Sequence, residues 1–155
     1  MFRKSLMIIY VIALVLLILD QISKYIIANN MLPGESLPVI NNIFHITYVE
    51  NTGAAFGILK GQNFFFIVIS IIAIVYIVFF SKKALGRTIL PTVSLGIILG
   101  GILGNLADRL RLGCVVDFLD FQIWPVFNVA DSGISVGAAL LIIYLIKTDK
   151  TEKRQ

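Results

Sequence analysis

The sequence predicts an all-α membrane protein: four transmembrane helices, with a small β-rich insertion between the first and second. Three observations carry this. Hydrophobic residues make up 58% of the 155-residue chain and charged residues 14%, with a mean hydropathy of +0.94; soluble domains lie nearer half apolar and a quarter charged. Four apolar stretches each approach the ~20 residues that cross ~30 Å of hydrocarbon at ~1.5 Å per residue. Nine of the thirteen basic residues cluster at one set of ends of those stretches. Together these exclude a disordered chain, a secreted disulfide scaffold and an ordinary water-soluble enzyme. The single Cys114 allows no intramolecular disulfide, and with one histidine, His45, a zinc site is not expected.

The chain reads as one integral membrane domain, 1–155, with spans at about 5–27, 61–81, 88–107 and 131–146. The first is uncharged until Asp20 and Lys24; the second and third are charge-free. Arg3, Lys4, Lys82, Lys83, Arg87, Lys147, Lys150, Lys153 and Arg154 fall at one side, and seven of the nine acids at the other. By the positive-inside rule both termini, the tail 147–155 and the Ser81–Arg87 turn are cytoplasmic, and the loops 28–60 and 105–130 face outward. The net charge of +4 thus sets orientation, and no nucleic-acid partner is expected. Arg3-Lys4 before an apolar run imitates a signal peptide, but the run ends in Leu19-Asp20-Gln21 without a small-x-small cleavage site. It reads as a retained span.

In the first outer loop, Leu32-Pro33-Gly34-Glu35 reads as a turn and Ile43–Val49 as one or two short strands. The small residues of Asn51-Thr52-Gly53-Ala54-Ala55 would let a partner approach the backbone closely. Gly96, Gly100 and Gly104 lay a smooth strip along the third span, best read as close helix packing, with Gly133 and Gly137 as a candidate matching face.

The carboxylates at the outer membrane edge are the informative residues. A charge deep in hydrocarbon costs ~2.5–3.5 kcal/mol even on the gentler insertion scales, so acids near that edge need partners, water or a function. Asp117 and Asp131 are fourteen residues apart with Pro125 between them, so they share no continuous helix but can return to one outer face. Carboxyls ~4 Å apart at an effective dielectric of about 20 repel by ~4 kcal/mol, enough to raise one pKa by ~3 and keep one of them protonated near neutrality. An acid and a base can then hold a water between them. The competing reading of Asp131 is a helix-capping acid in Asn128-Val129-Ala130-Asp131, and of Asp117 a solvated interfacial acid. Asp20 is an intramembrane carboxylate or simply the i,i+4 partner of Lys24. Arg109 suits backbone carbonyls or carboxylates of a ligand, or pairs with Asp108. Asn51, Asn105 and Asn128 can grip an extended peptide or serve as caps and turns. Phe118, Phe121, Trp124 and Phe127 suit an interfacial belt or the wall of a lipid-facing site. Cys114, with no histidine near it in sequence, reads as a filler.

Five ordered blocks then resemble the lipoprotein signal peptidases (signal peptidase II), over nearly the whole chain. They are Asp20-Gln21-x-x-Lys24, Asn51-Thr52-Gly53-Ala54-Ala55-Phe56, Gly104-Asn105-x-x-Asp108-Arg109, Val116-Asp117-Phe118 and Phe127-Asn128-x-Ala130-Asp131-Ser132. The resemblance implies a four-helix bundle with an extracytoplasmic β-cradle from the first outer loop. It implies an aspartyl endopeptidase of the bacterial inner membrane that cuts prolipoproteins before their diacylglyceryl-modified cysteine. Carried over, the catalytic pair is Asp117 and Asp131, while Asp20, Asn51, Gly53, Asn105, Arg109 and Asn128 bind or support substrate. Its partners are prolipoproteins and membrane lipids; no metal or organic cofactor is required, and a monomer is the expected state. Two other functions stay open on the residues alone. A small transporter would use the acids as a cation pathway, and an adaptor would use them only as caps and anchors.

Overall fold

The computed structural model describes residues 2–54, 59–84 and 88–152. Four helices, α1 (Phe2–Asn30), α2 (Asn63–Ala84), α3 (Leu90–Leu112) and α4 (Val129–Glu152), are joined with three strands, β1 (Ser36–Ile40), β2 (Phe44–Asn51) and β3 (Val115–Asp120). Among the described residues, α1 from Lys4, α3, and α4 to Thr148 are long and apolar enough to cross a membrane, and α2 contributes the shorter apolar run Asn63–Phe79. Ala55 and Phe56, quoted in the second block above, lie outside the described residues.

Helix α3 is the central element, packed against α1, α4 and α2. Its glycines explain how. A Cβ on Gly96 would meet Ile12 and the Ile9 carbonyl of α1, and one on Gly100 would meet the Ala13 carbonyl at 2.6 Å. The strip therefore admits α1 at backbone distance, as its spacing suggested. Gly137 lies at backbone distance from Ser94 and Ile98 of α3 whereas Gly133 receives Leu16 of α1, and the α3 glycines facing α4 are Gly101 and Gly104, both against Ala130. Ile9, Ala13, Ile77, Leu95 and Leu99 form the core between these helices. Leu14, Ile18, Ile22, Ile72 and Ile142 point outward, a surface suited to lipid.

Two departures from the expected boundaries position the site. Helix α3 runs past 107 to Leu112, where Gly113 takes a left-handed φ of 76° and donates its N–H to the Arg109 carbonyl. Asn105, Asp108 and Arg109 therefore sit on a rigid helix rather than on a loop. The sheet is three-stranded and antiparallel in the order β1-β2-β3, so the second outer loop supplies a strand that composition did not reveal. Beyond β3 the chain reverses through Gln122 at φ 63°, and Phe127 bonds back onto Phe118 and Leu119. That reversal delivers Asn128 and the start of α4 beside β3.

Candidate active site

Asp117 and Asp131 reach one cavity from different elements. In the β2–β3 ladder Val49 faces Asp117 and Asn51 faces Val115, so Asn51 is a diagonal neighbour on the Asp117 face. Asn51 Nδ2 donates to Asp117 Oδ2 at 2.8 Å, and Asn128 Nδ2 donates to Asp117 Oδ1 at 2.7 Å. Asp131 stands in the first turn of α4, where Asn128 Oδ1 accepts the Asp131 N–H at 2.8 Å. The capping role belongs to Asn128, which frees the Asp131 carboxylate to turn toward Asn105, whose Nδ2 donates to it at 2.7 Å.

The cavity holds about 760 Å³ and is walled mainly by apolar side chains, including Phe121, Ile123, Trp124, Val126, Phe127, Ile134 and Val136. Asn51, Gly53, Asn105, Arg109, Asp117 and Asp131 gather at its polar part. Asp117 is 1% exposed. Burial first, and then the charge of Asp131, push its carboxyl up from 3.8 to about 7, against the lowering pull of the Asn51 and Asn128 hydrogen bonds.

Asp20 and Asn128 stand behind the cavity: each is fully buried and neither lines it, although Asn128 reaches both Asp117 and Asp131. Asp20 forms an ion pair with Lys24 at 2.9 Å and accepts the Ala130 N–H at the start of α4 at 2.8 Å. Lys24 Nζ also meets Asp108 at 2.9 Å and donates to Asn105 Oδ1 at 2.9 Å. The i,i+4 pair expected from spacing exists, but it is buried and shared with a second acid. Because its Oδ1 faces Lys24, the Asn105 amide presents its N–H₂ to Asp131. Arg109 does not pair with Asp108. Its guanidinium stacks on Phe66, 4.8 Å from the ring centroid, and Nη2 donates to the Gly53 carbonyl at 3.4 Å. Among the described residues no group of three His, Cys, Asp or Glu side chains is placed to hold a metal ion.

Residues 12–147 match the signal peptidase (SPase) II family. The chain belongs to the signal peptidase II family. It is similar to the lipoprotein signal peptidase of Halothermothrix orenii, 49% identical over 142 residues that cover 92% of this chain and 97% of the relative. The lipoprotein signal peptidase of Desulfitobacterium hafniense (strain DSM 10664 / DCB-2) is 49% identical over 137 residues, covering 88% and 91%. Two bacterial membrane enzyme structures solved in meso superpose on it. One has a TM-score of 0.88 at 39% identity, covering 99% of this chain and 93% of its own; the other has 0.82 at 40%, covering 94% of both. The chain is therefore a membrane protease of the signal peptidase II type, which sets aside the transporter and adaptor readings.

For a signal peptidase II, several parts of this site were not singled out by sequence. Phe66 and Asn63 of α2 hold Arg109, the latter by donating from Nδ2 to the Arg109 carbonyl at 3.1 Å. Ile134, Ser135 and Val136 extend the cavity wall along α4. The spacing of Asp131 and Ser135, one helical turn apart at the start of a span that is apolar from Val136 to Ile143, was the available signal. Phe118 is buried and leaves the wall to Phe121, Trp124 and Phe127. Burial pushes the Cys114 thiol up, as suits an inert filler.

Proposed function

We propose that this signal peptidase II removes the signal peptide of prolipoproteins by cutting before the diacylglyceryl-modified cysteine, with Asp117 and Asp131 acting as one acid–base pair on water. The observation that carries the reading is the pair of carboxylates on one apolar-walled cavity, Asp117 buried and Asp131 half-buried, each held by neutral amide donors. With one proton between them, the ionised carboxylate takes a proton from water as its oxygen attacks the scissile carbonyl. The protonated carboxyl hydrogen-bonds the developing oxyanion. A proton then passes to the departing amine as the C–N bond breaks, and the pair returns to its single proton. Such a coupled pair titrates as a unit, so acid and base are roles of the dyad rather than of one named residue.

Asn51, Gly53, Asn105 and Arg109 would grip the extended peptide at the polar part of the cavity. The apolar wall from Phe121 to Phe127 and Ile134 to Val136 would take the acyl chains. Asp20 and Asn128 support the site from behind. In the membrane, α2 completes a set of four spans with both termini cytoplasmic and the dyad at the opposite face, as the distribution of basic residues argues. One chain supplies both carboxylates, so a monomer suffices, and no cofactor enters the chemistry.

The test uses purified protein in detergent–lipid micelles with a diacylglyceryl-modified prolipoprotein and its unlipidated twin, the new N-terminus being read by mass spectrometry. Cleavage before the lipid-bearing cysteine is expected for wild type and is lost in folded Asp117→Asn and Asp131→Asn. Equal cleavage by the variants would place the chemistry at another site.

A further inference from the structure

A second cavity of about 550 Å³ opens between α1 and α3 and shares no lining residue with the first. Its lining changes character along α1, from Ile18 and Ile22 to Tyr25 and then Asn29. Below Gln21 the exposed apolar face of α1 continues through Ile22, Ile18, Val15 and Val11, a rise of about 16 Å, roughly half the ~30 Å hydrocarbon thickness and so one leaflet. Arg111, exposed on the last turn of α3, reaches the groove at the level of Gln21, beside Ile22. Its Nη1 donates to Gln21 Oε1 at 3.2 Å, and Gln21 Nε2 donates in turn to Asp108 Oδ1 at 2.9 Å and to the Gly104 carbonyl at 3.2 Å. The Gln21 amide therefore presents its oxygen to Arg111 in a fixed sense, and the guanidinium is held over the groove by a neutral partner. Asp108, the acid in the lining, is already engaged by Lys24 at 2.9 Å and by the Val116 N–H at 3.2 Å.

A pre-oriented exposed guanidinium above an apolar, leaflet-length channel matches the two ends of a glycerophospholipid. Arg suits a phosphodiester because its planar fork meets two oxygens at once. Tyr25 lies at the depth where amphipathic rings meet headgroups. We propose that this groove binds one glycerophospholipid of the adjoining leaflet, with an acyl chain along Ile18 and Ile22 and the phosphodiester on Arg111. This lipid is a bound component and not the substrate, and the site stands independently of the aspartate pair.

Native mass spectrometry of the full chain tests it, titrating dioleoylphosphatidylglycerol against dioleoylglycerol, which has the same tails and no phosphate. Wild type is expected to take up one phosphatidylglycerol saturably, about tenfold more tightly than dioleoylglycerol, or ~1.4 kcal/mol. Arg111→Gln brings the two lipids to equal affinity, and Ala28→Trp, which fills the groove, weakens both. Lys60→Gln, a charge loss at another exposed position, leaves wild-type binding. Thermal melting checks the fold, and Arg111→Gln decides alone if Ala28→Trp does not fold. Non-saturable uptake, Arg111→Gln binding like wild type, an equal loss in Lys60→Gln, or displacement of the lipid by inorganic phosphate would each overturn the site.

Discussion

Two carboxylate pairs lie at the same end of the helical bundle, and they differ in what balances their charge. Asp20 and Asp108 share Lys24, each at 2.9 Å, while the Ala130 and Val116 N–H groups and the Gln21 amide take their other bonds. Asp117 is also withdrawn from water and Asp131 partly so, yet they receive amides from Asn51, Asn128 and Asn105, and among the described residues neither forms an ion pair. An uncompensated buried charge costs several kcal/mol, so each pair needs a counter-charge. The first has a fixed cation and holds the helices together. In the proposed mechanism the second carries a proton, which can leave and return, and that is what acid–base chemistry requires.

Neutralising one acid in each pair should give opposite phenotypes. Asp117→Asn or Asp131→Asn is expected to lower the cleavage rate by about 10³-fold or more, with little change in thermal melting. Asp20→Ala removes one of Lys24's two carboxylates and the acceptor at the α4 N-terminus. It should cost about 3 kcal/mol, read as a lower melting temperature in detergent, while the fraction that remains folded still cleaves. A catalytically dead but fully stable Asp20→Ala protein would contradict the division of roles.

The proton makes the second pair sensitive to pH. Folded Asp117 titrates at about 7 against 3.8 for an ordinary aspartate, so between those values the native state binds the extra proton. Its contribution to stability is full below pH 4 and is lost as pH rises through 7. The difference in melting temperature between pH 5 and pH 8 should therefore be smaller in Asp117→Asn than in wild type. For the same reason kcat/KM should fall above pH 7, by up to about tenfold per pH unit, as the dyad loses its acid. A flat profile to pH 9 would remove the shared proton.

Packing behind the first pair should matter less but measurably. A Cβ on Gly104 would lie 2.5 Å from Asp20 Oδ2, so Gly104→Ala is expected to cost about 1–3 kcal/mol by overpacking, seen as a lower melting temperature. The smallest effect belongs to the cavity rim. Ile123 is 94% exposed, and Ile123→Ser should reduce the preference for lipidated over unlipidated substrate only a few-fold in a competition assay.

The contrast between the two pairs was only partly legible in the sequence. Hydropathy located the helices, because a membrane span is a composition signal over ~20 residues. The i,i+4 spacing of Asp20 and Lys24 made them neighbours, but spacing says nothing of depth, and the third partner, Asp108, comes from another helix. Asp108 and Arg109 adjoin in sequence yet part by about 100° around α3, so one turns to Lys24 and the other to Phe66. Strand β3 escaped notice because its ladder partner β2 is remote: Asn51 and Asp117, which meet there, are 66 residues apart. Both catalytic candidates were nevertheless visible as acids that an apolar segment could not carry without cause.

A double-mutant cycle tests the shared-proton dyad most directly, with single-turnover cleavage of a diacylglyceryl-modified prolipoprotein measured for Asp117→Asn, Asp131→Asn and the double variant. Two groups acting as one unit predict that each single variant loses nearly as much as the double, within a few-fold. Losses that add, so that the double falls by the product of the singles, would mean the two aspartates act separately.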